Sequence, residues 1–136
     1  MNSRRRVNSA VRRLHVLGMI IVFEDDQTVT VLPDLESVRL ECEAVDVEDG
    51  AYRFFDERGR RLVPRFIAPV QRGSLLFGAI KTVGGGVFEL ELDPQDRGSS
   101  FEESLSNVVA INPNPNFATI EELARYVGDN RRRNEI

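Results

Sequence analysis

The chain has 136 residues, 41% of them hydrophobic and 29% charged, with one cysteine and a formal net charge of −4. That size and balance suit one domain with its own core, and they exclude a largely disordered chain and a disulfide scaffold. The longest apolar run, Gly18 to Phe23, is far too short to span a bilayer, so no membrane association is expected.

Net acidity removes any general attraction for nucleic acid, but the charge is blocked. Residues 1–23 carry +5, 24–57 carry −10, 58–81 carry +6, 82–130 carry −7 and the tail carries +2. Such blocks either make two charged faces or set neutralising strands side by side, and the second reading is preferred. The basic start is interrupted by Arg12, Arg13 and His15 and lacks a small-residue cleavage site, so it does not read as a signal peptide. Of the 18 basic residues only Lys81 is a lysine, an arginine excess typical of GC-rich genomes. A cytoplasmic protein of a bacterium or phage is expected.

In chain order, Asn2 or Ser3 can cap a helix reaching Leu17, with Val7, Ala10, Val11, Leu14 and Leu17 on one face and Gly18 as its stop. MIIVF and TVTVL flank the acidic turn EDDQ as a hairpin. Met19 to Phe23 is apolar on both faces, which predicts a central or helix-covered strand. SVRLECEAVDV alternates, with Val38, Leu40, Cys42 and Ala44 on one side, and reads as a half-buried strand. Asp49-Gly50 then reads as a two-residue hairpin turn. DERG, Asp56 to Gly59, suits a type I turn with a glycine bulge, and Pro64 makes the returning strand an edge or bulged one.

KTVGGGVFELELDP, residues 81–94, poses a choice between a phosphate cradle and a turn. A phosphate loop leads into a helix, normally through Lys-Ser/Thr, whereas a strand pattern follows here. Gly84-Gly85 therefore reads as a hairpin turn, setting Lys81 opposite Phe88 and placing Phe77, Ala79, Phe88, Leu90 and Leu92 on one face. Two helices complete the chain. Ser100 with Glu103 caps the first, faced by Phe101, Leu105, Val108 and Val109. Thr119 with Glu122 caps the second, faced by Ile120, Leu123, Ala124 and Val127 and ended by Gly128. The expected fold is α+β: an N-terminal helix, a mainly antiparallel curved sheet of about seven strands built from hairpins, and two C-terminal helices. Residues 1–128 form the domain and 129–136 a mobile polar tail.

No catalytic constellation is legible. His15 stands alone beside an apolar stripe, and Cys42 lies between Glu41 and Glu43, whose charges oppose a thiolate. Glu89 and Glu91 share a strand face about 6.5–7 Å apart, the pattern of a wet hairpin face. One His and one Cys make no zinc site, and DPQDRGSS is not a calcium loop, so neither metal nor cofactor is expected. The leading expectation is a non-enzymatic protein-binding module of inhibitor, immunity, anti-defence or adaptor type. It would present acidic hairpin tips at Asp25, Asp26, Glu48 and Asp49 to a basic protein partner. The alternative is nucleic-acid binding through Arg4, Arg5, Arg6, Arg12, Arg13, Arg131, Arg132 and Arg133. A third reading is a small enzyme or ligand carrier with a pocket between sheet and helices, near His15 or Glu89. A homo-oligomer is compatible with all three, although Pro64 and its arginine neighbours oppose pairing along Leu62 to Phe66.

Overall fold

The computed structural model describes residues 18–75, 78 and 80–134. The helix expected before Gly18, with His15 and the arginines at positions 4–6, 12 and 13, lies outside these residues. The fold is α+β. Its six strands are β1 (Ile20–Glu24), β2 (Thr28–Leu32), β3 (Tyr52–Phe55), β4 (Arg61–Leu75), β5 (Ile80–Leu92) and β6 (Ala110–Ile111). They make one sheet in the order β5-β4-β3-β1-β2-β6. The described helices are α1 (Leu35–Glu41), α2 (Ala44–Glu48), α3 (Ser100–Ser106) and α4 (Ile120–Asn134).

β1 is the centre of the structure, as its two-sided apolarity predicts. Ile20 and Val22 point to the face that holds Val38, Cys42, Val47, Phe54, Leu62, Phe88 and Leu90, beneath α1 and α2. Ile21 and Phe23 point the other way, to Val29, Val31, Phe55, Phe101, Leu123 and Val127, beneath α3 and α4. Each such side chain contributes about 1.5–3 kcal/mol on burial. On the second face Phe23, Phe55 and Phe101 form an edge-to-face triangle with centroids 5.4–5.7 Å apart.

Antiparallel pairing joins β1 to β2 and β3, β3 to β4, and β4 to β5. β6 lies parallel to β2, so the sheet is mixed. The DERG turn forms as expected: the Gly59 N–H donates to the Asp56 carbonyl at 3.0 Å, with Gly59 at φ +70. Pro64 sits beyond Leu62, where β5 is the only strand paired to β4, and a bulge follows between Phe66 and Ala68. The sheet edge itself is β5, not Leu62 to Phe66.

Several expectations are corrected. SVRLECEAVDV is helical, not a strand. Asp34 caps α1 by accepting from the Ser37 N–H at 2.8 Å, and the supposed inward Leu40 is 81% exposed. Asp49-Gly50 is a helix end, not a hairpin turn. The Gly50 N–H donates to the Val47 carbonyl and the Ala51 N–H to the Asp46 carbonyl, with Gly50 at φ +81, which is the Schellman pattern. Gly84–Gly86 lie inside β5, and the hairpin turns instead near Gly78, with Ser74 opposite Lys81 and Phe66 opposite Phe88. Finally, α4 passes through Gly128 and runs to Asn134, so residues 129–134 are helix and not tail.

The helix caps divide. Thr119 and Glu122 form their box, with Thr119 Oγ1 accepting from the Glu122 N–H and Glu122 Oε2 accepting from the Ala118 N–H. The expected Ser100–Glu103 box is absent, because Ser100 Oγ donates to Asp96 Oδ1 at 2.8 Å instead. That helix stops at Ser106, which frees Ala110 and Ile111 to join the sheet and leaves Val109 70% exposed.

The glycine run separates into parts with different duties. Gly86 has φ +87, and a Cβ there would lie 2.8 Å from Val70 Cγ2 and 2.9 Å from Ala44 Cβ. Gly84 has no such conformation and open space around it. Gly86→Ala is therefore expected to lower stability by about 2 kcal/mol, from backbone strain plus overpacking. Gly84→Ala should stay within about 1 kcal/mol of wild type. Urea unfolding of the two variants checks this, and equal losses would contradict it.

Candidate functional site

The four acidic residues expected at hairpin tips meet different fates. Asp25 and Asp26 are exposed at the β1–β2 turn. Asp26 Oδ1 accepts from the Thr28 N–H at 3.0 Å and from Thr28 Oγ1 at 2.6 Å. Glu48 and Asp49 stand at the C-terminal end of α2, not on a hairpin, and Arg72 Nη2 of β4 reaches both at 3.1 Å. Both pairs still belong to one end of the sheet, because Glu24 of β1 is registered with Tyr52, where the chain enters β3.

A cleft of about 570 Å³ opens beside β1 and β2. Its walls are β1 and β2, the helix α1, and the polar segment Asn112–Pro115 that follows β6. Among the described residues the charged ones lining it are Glu24 and Glu41. Glu24 is held rigidly: Oε2 accepts from Thr28 Oγ1 at 3.1 Å, Thr30 Oγ1 at 3.0 Å and Asn112 Nδ2 at 3.3 Å. Asn112 Nδ2 also donates to Thr30 Oγ1 at 2.7 Å, so the linker is sewn to the strand that carries the carboxylate.

Two neighbouring groups register the resulting negative field. Burial pushes the Cys42 thiol up to about 12, helped by Glu24, Glu41 and Asp46. The Tyr52 phenol also rises to about 12, through burial first, then Cys42, Asp46, Glu24 and Glu43. Carboxylates from β1, from α1 and from the start of α2 thus act on one locality. Among the described residues none of Glu24, Glu41, Glu43 and Asp46 has an ion pair. Sequence reasoning missed this grouping because it put Glu41 and Glu43 on the wet side of a strand. The capping pattern Asp34-Leu35-Glu36-Ser37 after Pro33 was the signal for the helix that relocates them.

The other candidates fall elsewhere. Glu89 and Glu91 lie on β5 and pair across to Arg65 at 2.8 and 3.4 Å. Arg131 is half-buried; its Nε donates to the Arg58 carbonyl at 2.7 Å, its Nη2 to the Gly59 carbonyl at 2.9 Å, and its Nη1 to Glu102. Arg132 pairs with Asp129, and Arg133 is exposed. No group of His, Cys, Asp and Glu suited to a metal occurs among the described residues, and none of their helices is long and apolar enough to cross a membrane. Set beside protein-family models, curated proteins and solved structures, the chain matches none.

Cys42 offers a check on its burial, with the carboxylates about it as the lesser cause. Its thiol in the native protein should react with iodoacetamide at pH 8 about a thousandfold more slowly than in urea, because the thiolate is the nucleophile. The folded value of about 12 lies above the ordinary 9.0, so its contribution to stability is intact below pH 9 and fades as pH rises towards 12. Rapid native labelling would contradict the placement.

Proposed function

We propose that this chain is a non-enzymatic protein-binding module, of the inhibitor, immunity or adaptor kind, that receives a basic partner on the acidic end of its sheet. The observation that carries the reading is that Glu24 and Glu41 line one cleft and act with Asp46 on Cys42, while none of Glu24, Glu41, Glu43 and Asp46 has an ion pair among the described residues. Like charges held together repel and cost stability unless something offsets them, and a partner's lysines or arginines do so on binding. Asp25 and Asp26 extend the same negative surface at the neighbouring turn and would steer the approach. Glu48 and Asp49 contribute less, since Arg72 already answers them.

Nucleic-acid binding through the two arginine clusters has less behind it. Of its C-terminal trio, Arg131 is engaged by two carbonyls and Glu102, and Arg132 by Asp129. A pocket enzyme has less still, for Glu89 is paired on the sheet edge and the cleft groups an acidic pair with a thiol held neutral.

The test is affinity capture with nuclease present, using wild type beside the double variant Glu41→Lys/Glu43→Lys. A protein recovered by wild type should be lost by the variant, and its association rate should fall about tenfold at low salt and less at high salt. A partner captured equally by both, with unchanged kinetics, would refute the acidic-end reading.

A further inference from the structure

A second site stands on the β3–β4 turn. There a cavity of about 250 Å³ is lined by Arg58, Gly59, Arg60, Asp96, Gly98 and Arg131. Three of these are guanidinium groups, and two are held in place by the fold. Arg60 Nε donates to Asp56 Oδ2 at 2.7 Å, and Asp56 is itself fully buried. The other oxygen of Asp56 accepts from the backbone N–H groups of Arg58 and Arg60, both at 2.9 Å, so the anchor cannot swing away. Arg131 is clamped by the two turn carbonyls, pairs through Nη1 with Glu102, and lies 5.7 Å over the Phe101 ring.

The donors of the cavity are not all used. Arg60 Nη2 is buried and has no acceptor within reach. The Arg60 side chain is nonetheless 33% exposed and lines the cavity, where an oxyanion can supply acceptors to its accessible donors. The Arg58 side chain has neither an ion pair nor a hydrogen bond among the described residues. Among the described residues Asp96 is the one acidic residue lining the cavity, and its oxygens are already occupied. Oδ2 accepts from the Arg61 N–H at 2.7 Å, and Oδ1 from the Gly98 N–H at 3.0 Å and Ser100 Oγ at 2.8 Å. Burial would raise its pKa, but these bonds and Arg131 outweigh that and hold it below the usual carboxylate range. Gly59 completes the shape, since a Cβ there would lie 2.5 Å from Arg131 Nη2.

We propose that this cavity binds a phosphate group, with Arg58 and Arg60 as its donors and Arg131 as a fixed neighbouring charge. The volume suits one phosphoryl group and its ester oxygen better than a whole nucleotide. The proposal is independent of the acidic end, which other residues form.

The experiment titrates the full chain with inorganic phosphate against sodium chloride of matched ionic strength, followed by amide NMR. Parallel arms use phosphoserine and a short single-stranded oligonucleotide. Saturable shifts of the Gly59 and Gly98 amides are expected. Arg58→Gln should weaken binding at least tenfold while leaving Tm in chloride unchanged, because that side chain supports nothing else. Arg97→Gln, outside the cavity lining, should bind as wild type does. Phosphoserine binding that is lost in R58Q would identify a monoester as the source. Oligonucleotide binding with the same dependence would identify a phosphodiester backbone. Absence of saturable phosphate binding up to tens of millimolar, or undiminished binding by R58Q, would overturn the proposal.

Discussion

Ile20, Ile21, Val22 and Phe23 are consecutive and at most 1% exposed, so β1 sends two apolar side chains into each face of the sheet. Water must be kept off both sides of one strand. A single layer of helices cannot do that, and the chain answers with α1 and α2 on one side and α3 and α4 on the other. The strand order follows from the same need, with β1 shielded by β3 and β2 as neighbours. Everything chemically interesting then lies at the margins: the cleft where α1 meets the end of β1, and the turn where β3 passes into β4.

Charge is distributed around that frame unevenly. Much of the blocked pattern cancels in space: Arg72 meets Glu48 and Asp49, Arg65 meets Glu89 and Glu91, Arg60 meets Asp56, and Arg131 meets Glu102. The exposed ones among them, those of Arg72 and Arg65, add little to stability, typically below about 1 kcal/mol. Their effect is to remove charge from most of the surface. Among the described residues, what is left unpaired includes the acids about Cys42 and, on the β3–β4 turn, Arg58.

The elements set by two-sided burial were legible in the sequence: the β1–β2 hairpin, the DERG turn, the returning strand with Pro64, and the start of α4. Those set by competition between periods were not. In SVRLECEAVDV, Val38 and Cys42 are spaced for a helix as well as for a strand, and only the Asp34 cap and the exposed Leu40 decide it. The glycine run was misplaced for a related reason. Glycine marks positive φ and close approach as well as turns, and Gly86 is needed because Ala44 of α2 presses against β5. Gly128 failed as a stop because tertiary bonds from Asn130 and Arg131 to the β3–β4 turn outweigh its helix penalty of about 1 kcal/mol. The candidate sites were less legible than the fold. Glu24 and Glu41 are far apart in sequence and meet only once α1 is a helix.

The order of the elements along the chain has a consequence for synthesis on the ribosome. The strands from Ile20 to Leu92 pair almost wholly with sequence neighbours, and α1 and α2 are interleaved among them, so one face can be covered as it forms. Among the described residues, the opposite face, with Phe23, Val31 and Phe55, gets its cover from α3 and α4, which are made afterwards. Until those helices emerge, a nearly finished sheet shows an aromatic, water-averse surface to the cell. The interval between Leu92 and the end of α4 is therefore when this protein is most exposed to self-association, and when a chaperone would have most to hold.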